Sequence, residues 1–424
     1  MRAKRRMPPD DVLPPLSRGR AWALALIATL TMAVSYIDRQ TLSAIAPSVQ
    51  KALHFDDAAY GYLGVAFALA YLVGAPVAGA IVDRVGARRG LLGAVLMWSA
   101  IAAVHAVAPG FGVLLTMRVL LGLAESPSFP AAAQTIQRGL PPADHARGFG
   151  VLFTGSSIGA AIAPPLATWL ADRYDYRAAF LGTAAAGLLW IPLWLAVAFR
   201  GPARRALDLR HAAAPVRAPS LVPFALAKHS AVQRSVMAVL ASAPLLTFSH
   251  QWGTKFLVQD HGITQRAAGA LLWAPPLFFD VGAIAFGHLA SVARARGAEG
   301  VPRPLLAVAA ALMLGGLAVP FAPTPALAVV ALCVALCGGG GMYALPMADL
   351  AVRVAPWQVA SAGGLCAAAQ SVAQVVTNPL LGHAVKGTGS YTLAIVGLSL
   401  WVIPGSVAWL AWRPPPPYID GALS

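Results

Sequence analysis

The sequence predicts an all-α integral membrane protein with twelve transmembrane helices in two pseudo-symmetric six-helix bundles. Three observations lead there. Of 424 residues, 58% are apolar and only 11% are Asp, Glu, Lys or Arg, whereas a soluble protein carries about 25% charged residues. Runs of about 20 apolar residues, the length a helix needs to cross a hydrocarbon core of about 30 Å, recur along the whole chain. The basic residues between those runs fall on alternate sides. So few charges do not cover the surface of a water-soluble chain of this length, and the mean hydropathy of +0.68 agrees. Nucleic-acid binding, secretion and a cytosolic enzyme are poor readings of this composition.

The first run, 21–48, follows a basic tail over 1–20 and has the outline of a signal peptide. Its apolar stretch is long, however, and continues into Tyr36-Ile37-Asp38-Arg39, so an uncleaved first helix is expected. Runs 58–82 and 90–109 come next. The latter is separated from 111–137 only by Pro109-Gly110, which reads as a tight turn. Runs 147–171 and 178–199 complete a first half, 21–199. Residues 200–230, rich in Arg, Pro and Ala, form the longest polar stretch and read as a linker. The second half, 231–413, contains runs at 231–257, 266–292, 304–322, 325–352, 357–384 and 390–412, before a tail over 414–424.

The net charge of +15 has a topological reading. With both termini on one side, that side collects 23 Lys or Arg and the other only six: Lys51, Arg173, Arg177, Lys255, Arg266 and Lys386. Excess Lys and Arg mark the cytoplasmic loops, so an inner-membrane, multi-pass protein with both termini cytoplasmic is expected. The cysteines, Cys333, Cys337 and Cys366, lie in apolar runs and form neither a disulfide framework nor a zinc ribbon.

The halves echo one another. Gly79-x-x-x-Asp83 returns as Gly287-x-x-x-Ser291, Ser157 with Pro165 as Ser371 with Pro379, and Asp38-Arg39-Gln40 as Ser249-His250-Gln251, at offsets of 208, 214 and 211. The near-constant offset points to duplication. Two six-helix halves joined by a linker are the architecture of a rocker-type secondary transporter.

The segment GAIVDRVGARRG (79–90) closely resembles the signature loop of the major facilitator superfamily, between its second and third helices. YIDRQTLSAIAPSV (36–49), RVLLGLAESPSFPA (118–131), TGSSIGAAIAPPLATWL (154–170), DRYDYRAAFLG (172–182) and DVGAIAFGHLASVARARG (280–297) resemble its anion:cation symporter branch, which includes bacterial hexuronate, galactonate and glucarate transporters. The resemblance spans the chain and is strongest in the first half. It implies the major facilitator fold and proton-coupled uptake of an organic anion, often a sugar acid, with no cofactor or metal. In the signature loop, Asp83, Arg84, Arg88 and Arg89 are expected to lock cytoplasmic helix ends together as a gate.

Within the cores of the predicted helices, away from their ends, the acidic and strongly basic residues are Asp38, Arg39, Arg118, Glu125, Asp280 and Asp349. Such residues face a bundle interior or wet cavity and are functional candidates by default, since each costs at least about 2.5–3.5 kcal/mol at mid-helix. Arg118 and Glu125 lie two turns apart on one helix face, about 10 Å along the axis. That suits a stripe on which a carboxylate meets Arg118 and a proton visits Glu125. Asp38 and Arg39, adjacent, point about 100° apart. In the resembling family the matching Asp-Arg pair and the Arg and Glu of the fourth helix serve as proton sites and substrate-anion contacts. By that resemblance Asp38 and Glu125 are proton-coupling candidates, Arg39 and Arg118 substrate contacts, and Tyr71 a further contact. The alternative for the charged set is a buried ion network joining the first and fourth helices.

The second half offers Gln370, Gln374 and Asn378, at four-residue steps on the eleventh run, as a stripe able to read sugar hydroxyls or to bond neighbouring helices. His250 is a candidate second proton or anion site. Asp280 reads as part of the eighth-helix signature, and Asp349 as an ordinary i,i+4 partner of Arg353.

Two motifs are refused. Gly155-Ser156-Ser157-Ile158-Gly159 spells G-x-S-x-G but lies inside an apolar run, where helix packing is expected. Gly338 to Gly341 lack the Lys-Ser/Thr of a P-loop and are expected to bring helices close. The sequence therefore reads as a transporter taking up an organic anion, with protons, as a monomer in a lipid bilayer. The rivals are an exporter or monocarboxylate or aromatic-acid carrier of the same superfamily and, in another class, an intramembrane serine hydrolase.

Overall fold

The computed structural model describes residues 16–141, 144–208, 226–354, 359–413 and 415–416. Among the described residues, ten helical segments are long and apolar enough to cross a membrane. In the first half these run from α1 (Arg18–Ala44), after which the short α2 (Ala46–Leu53) lies at its end, through α3 (Asp57–Val85) and α4 (Ala87–Val104). The fourth predicted run is split into α5 (Phe111–Glu125) and α6 (Ser128–Gly139), and α7 (His145–Arg173) and α8 (Tyr176–Ala198) follow. Part of the expected linker is a helix, α9 (Gly201–Asp208). Residues 209–225 of it, and the tails over 1–15 and 417–424, lie outside the described residues.

The second half holds α10 (Ser230–Thr247), a π-turn (Phe248–Trp252), α11 (Gly253–Gln259), α12 (Gln265–Leu271) and α13 (Ala274–Ala295). It continues with α14 (Arg303–Met313), α15 (Pro325–Arg353), α16 (Val359–Thr388), α17 (Thr392–Leu400) and α18 (Val402–Ala411). The two predicted runs missing from the ten apolar spans have separate reasons. Neither α5 nor α6 reaches across alone, and Gln370, Gln374 and Asn378 dilute α16.

Local chemistry sets the ends. The side chains of Asp56, Asp175, Thr264 and Thr324 accept the orphan N–H groups at the starts of α3, α8, α12 and α15. All four caps lie on the face away from the termini, called here the far face. Gly86, at φ +88°, makes the turn from α3 to α4, a conformation that L side chains rarely adopt. Pro127 has no N–H to continue the ladder. The carbonyl of Leu123 is taken instead by the N–H and the hydroxyl of Ser126, at 3.3 and 2.7 Å, and α5 ends at Glu125.

Small residues set the helix spacing. A Cβ on Gly155 or Gly159 would stand 2.3 or 2.2 Å from the carbonyl oxygens of Thr29 and Ala33, so the G-x-S-x-G glycines press α7 onto α1. Gly338 and Gly340 likewise let α15 touch the backbones of α14 and α13. Large apolar side chains such as Leu188, Leu189, Val330 and Leu393 face outward, where lipid is their natural solvent.

The halves meet toward the far face. There α3 packs on α16 so closely that a Cβ on Gly61 would sit 2.5 Å from the carbonyl of Asn378. Gln265 on α12 accepts from the N–H and hydroxyl of Ser48 on α2, at 3.1 and 2.9 Å. Deeper, the Ser157 hydroxyl on α7 donates to Asp280 on α13 at 2.7 Å, so this carboxyl bridges the halves as well as belonging to its own helix.

On the termini's face each half has its own brace. Arg138 donates to the carbonyl of Leu207 at 2.7 Å, holding α9 against the first half. In the second half Asp349 does more than pair with Arg353. It also takes Arg234 Nη1 at 2.5 Å, while Arg234 Nε donates to the carbonyl of Trp409 and its guanidinium lies 3.4 Å over that ring.

Candidate functional site between the halves

The four charged residues singled out in the first half come together where α1 passes the end of α5. Arg39 donates to Glu125 Oε2 through Nε at 3.2 Å and Nη2 at 2.9 Å. The hydroxyl of Ser35, one turn before Arg39, donates to the same oxygen at 2.8 Å. Glu125 is fully buried, and its Oε1 has no partner. Adjacent to Arg39 but turned away from it, Asp38 is buried beside Trp98, and neither of its oxygens makes an ordinary hydrogen bond.

Arg118 lies two turns up α5 from Glu125. It is buried, and its Nε and Nη1 have no partner. Aromatic rings surround the two guanidiniums: Arg39 lies 4.7 Å from the centroids of Tyr36 and Phe67 and 5.0 Å from Tyr71, and Arg118 lies 5.1 Å from Phe67. Tyr71 stacks on Phe67 with centroids 6.0 Å apart. The expected Tyr71 is thus at the cluster, as a ring beside Arg39. Ring faces attract cations without neutralising them; Arg118 feels the charge of Glu125 from two turns away, but no carboxylate among the described residues pairs with it and two of its donors are unused.

The opposite wall is less charged. Tyr343 on α15, which sequence reasoning passed over, comes within electrostatic reach of Tyr36, and its ring lies 6.2 Å from Phe279. Gln370 and Gln374 are half-buried on α16. Asn378 departs from the expected stripe. Its Oδ1 accepts from Trp252 Nε1 at 2.9 Å and its Nδ2 donates to the Gln374 carbonyl at 2.9 Å, so its amide is already used between helices. His250, on the π-turn, lines a small chamber on the seam whose walls mix Gln40, Ser43, Ser249 and Thr254 with apolar residues such as Leu272 and Pro276.

The signature loop is described in part. The side chains of Asp83 and Arg84 lie outside the described residues. Arg88 is buried with its guanidinium 4.2 Å over Phe199, and its carbonyl accepts from Trp194 Nε1 at 3.0 Å; Arg89 is exposed.

Three other contributors escaped the sequence reading. Ser35 and Phe67 gave no signal beyond spacing, four residues before Arg39 and four before Tyr71. Lys255 was counted only as a far-side cation, yet it is fully buried and paired with Asp57 across the seam. Nearby, Lys386 lies 2.7 Å from Asp56 and, with the Ala59 N–H, holds that exposed carboxyl below its usual range.

Known proteins resemble this chain in family and in fold. The profile of the Major Facilitator Superfamily matches residues 28–358. The chain is 28% identical over 288 residues to the hexuronate transporter of Escherichia coli (strain K12), an alignment covering 64% of this chain and 65% of that protein. It is 25% identical to the galacturonate transporter of Dickeya chrysanthemi, over 64% of this chain and 82% of that one. Against the probable galactarate/D-glucarate transporter of Bacillus subtilis (strain 168) it is 23% identical, covering 92% and 91%. Among solved structures, a bacterial homolog of the human lysosomal transporter Spinster, inward-facing and unoccupied, superposes with a TM-score of 0.75 at 16% identity, over 94% of this chain and all of that one. A nucleoside transporter superposes with a TM-score of 0.71 at 15% identity, over 92% and 99%.

Proposed function

The chain belongs to the Major Facilitator Superfamily and is a membrane transporter, and from that premise we propose that it takes up an organic anion together with protons by alternating access. The substrate is a sugar acid, such as a hexuronate or an aldonate. The observation that carries this reading is the pairing pattern of the two central arginines. Arg39 is neutralised by Glu125, whereas Arg118 is buried with two free donors. A buried guanidinium that no carboxylate touches is an anion site in waiting, and its planar fork suits a carboxylate. The names of the hexuronate, galacturonate and glucarate transporters support the same chemistry.

In this reading the face bearing the termini is cytoplasmic, in the inner membrane of a bacterial cell, and the far face opens outward. One chain supplies the whole site, so the monomer is the working unit. A substrate carboxylate entering from the far side meets Arg118. A proton taken by Glu125 removes the charge that holds Arg39, and Arg39 becomes a second ligand for the carboxylate. Asp38, buried beside this exchange, serves as the other proton-carrying group. Once loaded, the halves rock so that the far seam closes, as it is here, and substrate and protons leave toward the cytoplasm. The signature loop braces the cytoplasmic ends in the opposite state.

The test is tracer uptake into proteoliposomes. With D-galacturonate, D-galactonate and D-glucarate as probes, an inward proton gradient is expected to drive accumulation and a protonophore to abolish it. Accumulation of none of these, or accumulation indifferent to the gradient, would refute the reading.

A further inference from the structure

Among the described residues three ion pairs cross between the halves, all at the far face: Asp57 with Lys255, Asp56 with Lys386, and Asp172 with Arg266. In each, the acid belongs to the first half and the cation to the second. Two are peripheral, with side chains about half exposed, where solvent and salt leave little net interaction. The third is different. Lys255 is fully buried, its ammonium 4.7 Å over the ring of Tyr60 from the first half and 4.9 Å over that of Trp252 from its own. Tyr60 closes the same cluster by donating its hydroxyl to the carbonyl of Gln251 at 2.5 Å.

Separating the halves at this face takes Asp57 and Tyr60 away from Lys255 and leaves the ammonium beside Trp252 at the entrance. Losing the acid from such a charge is costly unless a replacement arrives. Below it, α3 carries Tyr60, Phe67 and Tyr71 at spacings of seven and four residues, which places them on one face roughly 10 and 6 Å apart. Each rung bears a cation in the closed seam: Lys255 over Tyr60, Arg118 over Phe67, and Arg39 between Phe67 and Tyr71.

We infer that Lys255 is an outer capture site for the organic carboxylate, occupied by Asp57 when the far seam is shut and by substrate when it is open. Asp57 and the substrate are alternative counter-ions of one ammonium. The captured anion then moves down the ring ladder to Arg118 and Arg39. This assignment rests on the organic-anion reading above.

A simple lock and a capture site predict different things for the two partners. If the pair only holds the seam shut, Asp57→Asn and Lys255→Gln break the same bond and change far-side KM in the same direction. If Lys255 captures the anion, Asp57→Asn removes a competitor and lowers KM for D-galacturonate uptake, while Lys255→Gln raises it about tenfold or more, the scale of one charge-assisted hydrogen bond. Lys255→Arg keeps the charge and should recover most of the loss. Because Lys255→Gln leaves the half-buried Asp57 without its cation, with only Gln50 donating to it at 2.9 Å, the double variant Asp57→Asn/Lys255→Gln, which is neutral at the seam, gives a second comparison. Its KM should exceed that of Asp57→Asn alone by a similar factor. Parallel KM changes in the single variants, or equal KM in the double variant and Asp57→Asn, would overturn the capture site and leave the transport reading standing. Wild-type protein that accumulates no carboxylate would overturn both.

Discussion

Both nitrogens that Arg39 offers to Glu125 converge on one oxygen, Oε2, and leave Oε1 without a partner. A carboxylate bound in this one-sided way has a free site for a proton while its ion pair is intact. The expected consequence concerns coupling. Glu125→Gln keeps the approximate shape and the contacts of Ser35 but cannot change charge. Counterflow, which needs no net proton movement, should persist within a few-fold of wild type, and gradient-driven accumulation should be lost. Undiminished accumulation by this variant would move the proton site elsewhere, with Asp38 the next group to test.

Arg118 leads to a different experiment, since no carboxylate among the described residues is paired with it directly. Replacing the fork by a point charge in Arg118→Lys should leave the protein folded and cost most of the affinity for a sugar acid. Loss of one charge-assisted bond of a bidentate pair is worth about 1.5–3 kcal/mol, or roughly ten- to a hundredfold in Kd. Calorimetric titration on purified protein reads this directly. Wild-type affinity would return Arg118 to a packing role against Phe67.

The signature loop separates its two described arginines. Arg88 is buried over Phe199, whereas Arg89 is exposed. Arg88→Ala should lower stability by about 1–3 kcal/mol through lost packing and a broken buried charge contact, and Arg89→Ala should leave the melting temperature nearly unchanged. If the loop also gates, Arg88→Ala will increase labelling of a cavity cysteine from the termini's side. Stability loss without altered labelling would confine Arg88 to holding α4 against α8.

The helices were legible because lipid leaves the backbone few choices: apolar length, flanking charge and Pro-Gly punctuation fixed most of them within a few residues. The break after Glu125 was not placed: 111–137 reads as one apolar run, and only the local geometry shows that losing the N–H of Pro127 ends a helix there. Partners across helices were harder to read. Asp38, Arg39, Arg118 and Glu125 stood out because charge is expensive in an apolar run, but their pairing depends on where α1 crosses α5. Lys255 was hidden for the opposite reason. It lies near a predicted helix end, where an exposed lysine needs no explanation, and only the packing of α3 against α11 and α16 makes it a buried charge. Asn378 illustrates the limit of periodicity: a four-residue step puts three amides on one stripe but does not say which of them a neighbouring tryptophan will claim.

That stripe therefore yields two predictions in one experiment. Gln374 is half-buried, and its side chain is not among those used between helices, whereas Asn378 is buried and accepts from Trp252 Nε1. If Gln374 reads substrate hydroxyls, Gln374→Leu should weaken a sugar acid more than a short carboxylate of equal charge. One neutral hydrogen bond is worth about 0.5–1.5 kcal/mol, so the difference should be several-fold. Asn378→Leu removes the acceptor of a buried indole N–H, which costs about 1–3 kcal/mol of stability wherever that donor stays unpaired. It should lower the melting temperature and affect both ligands alike, because the bond lies in the seam and not against the substrate. A sugar-acid-selective loss from Asn378→Leu would require the Trp252 bond to exchange for a substrate contact during the cycle. Equal weakening of both ligands by Gln374→Leu would leave the arginines and Tyr343 as the groups that recognise the substrate.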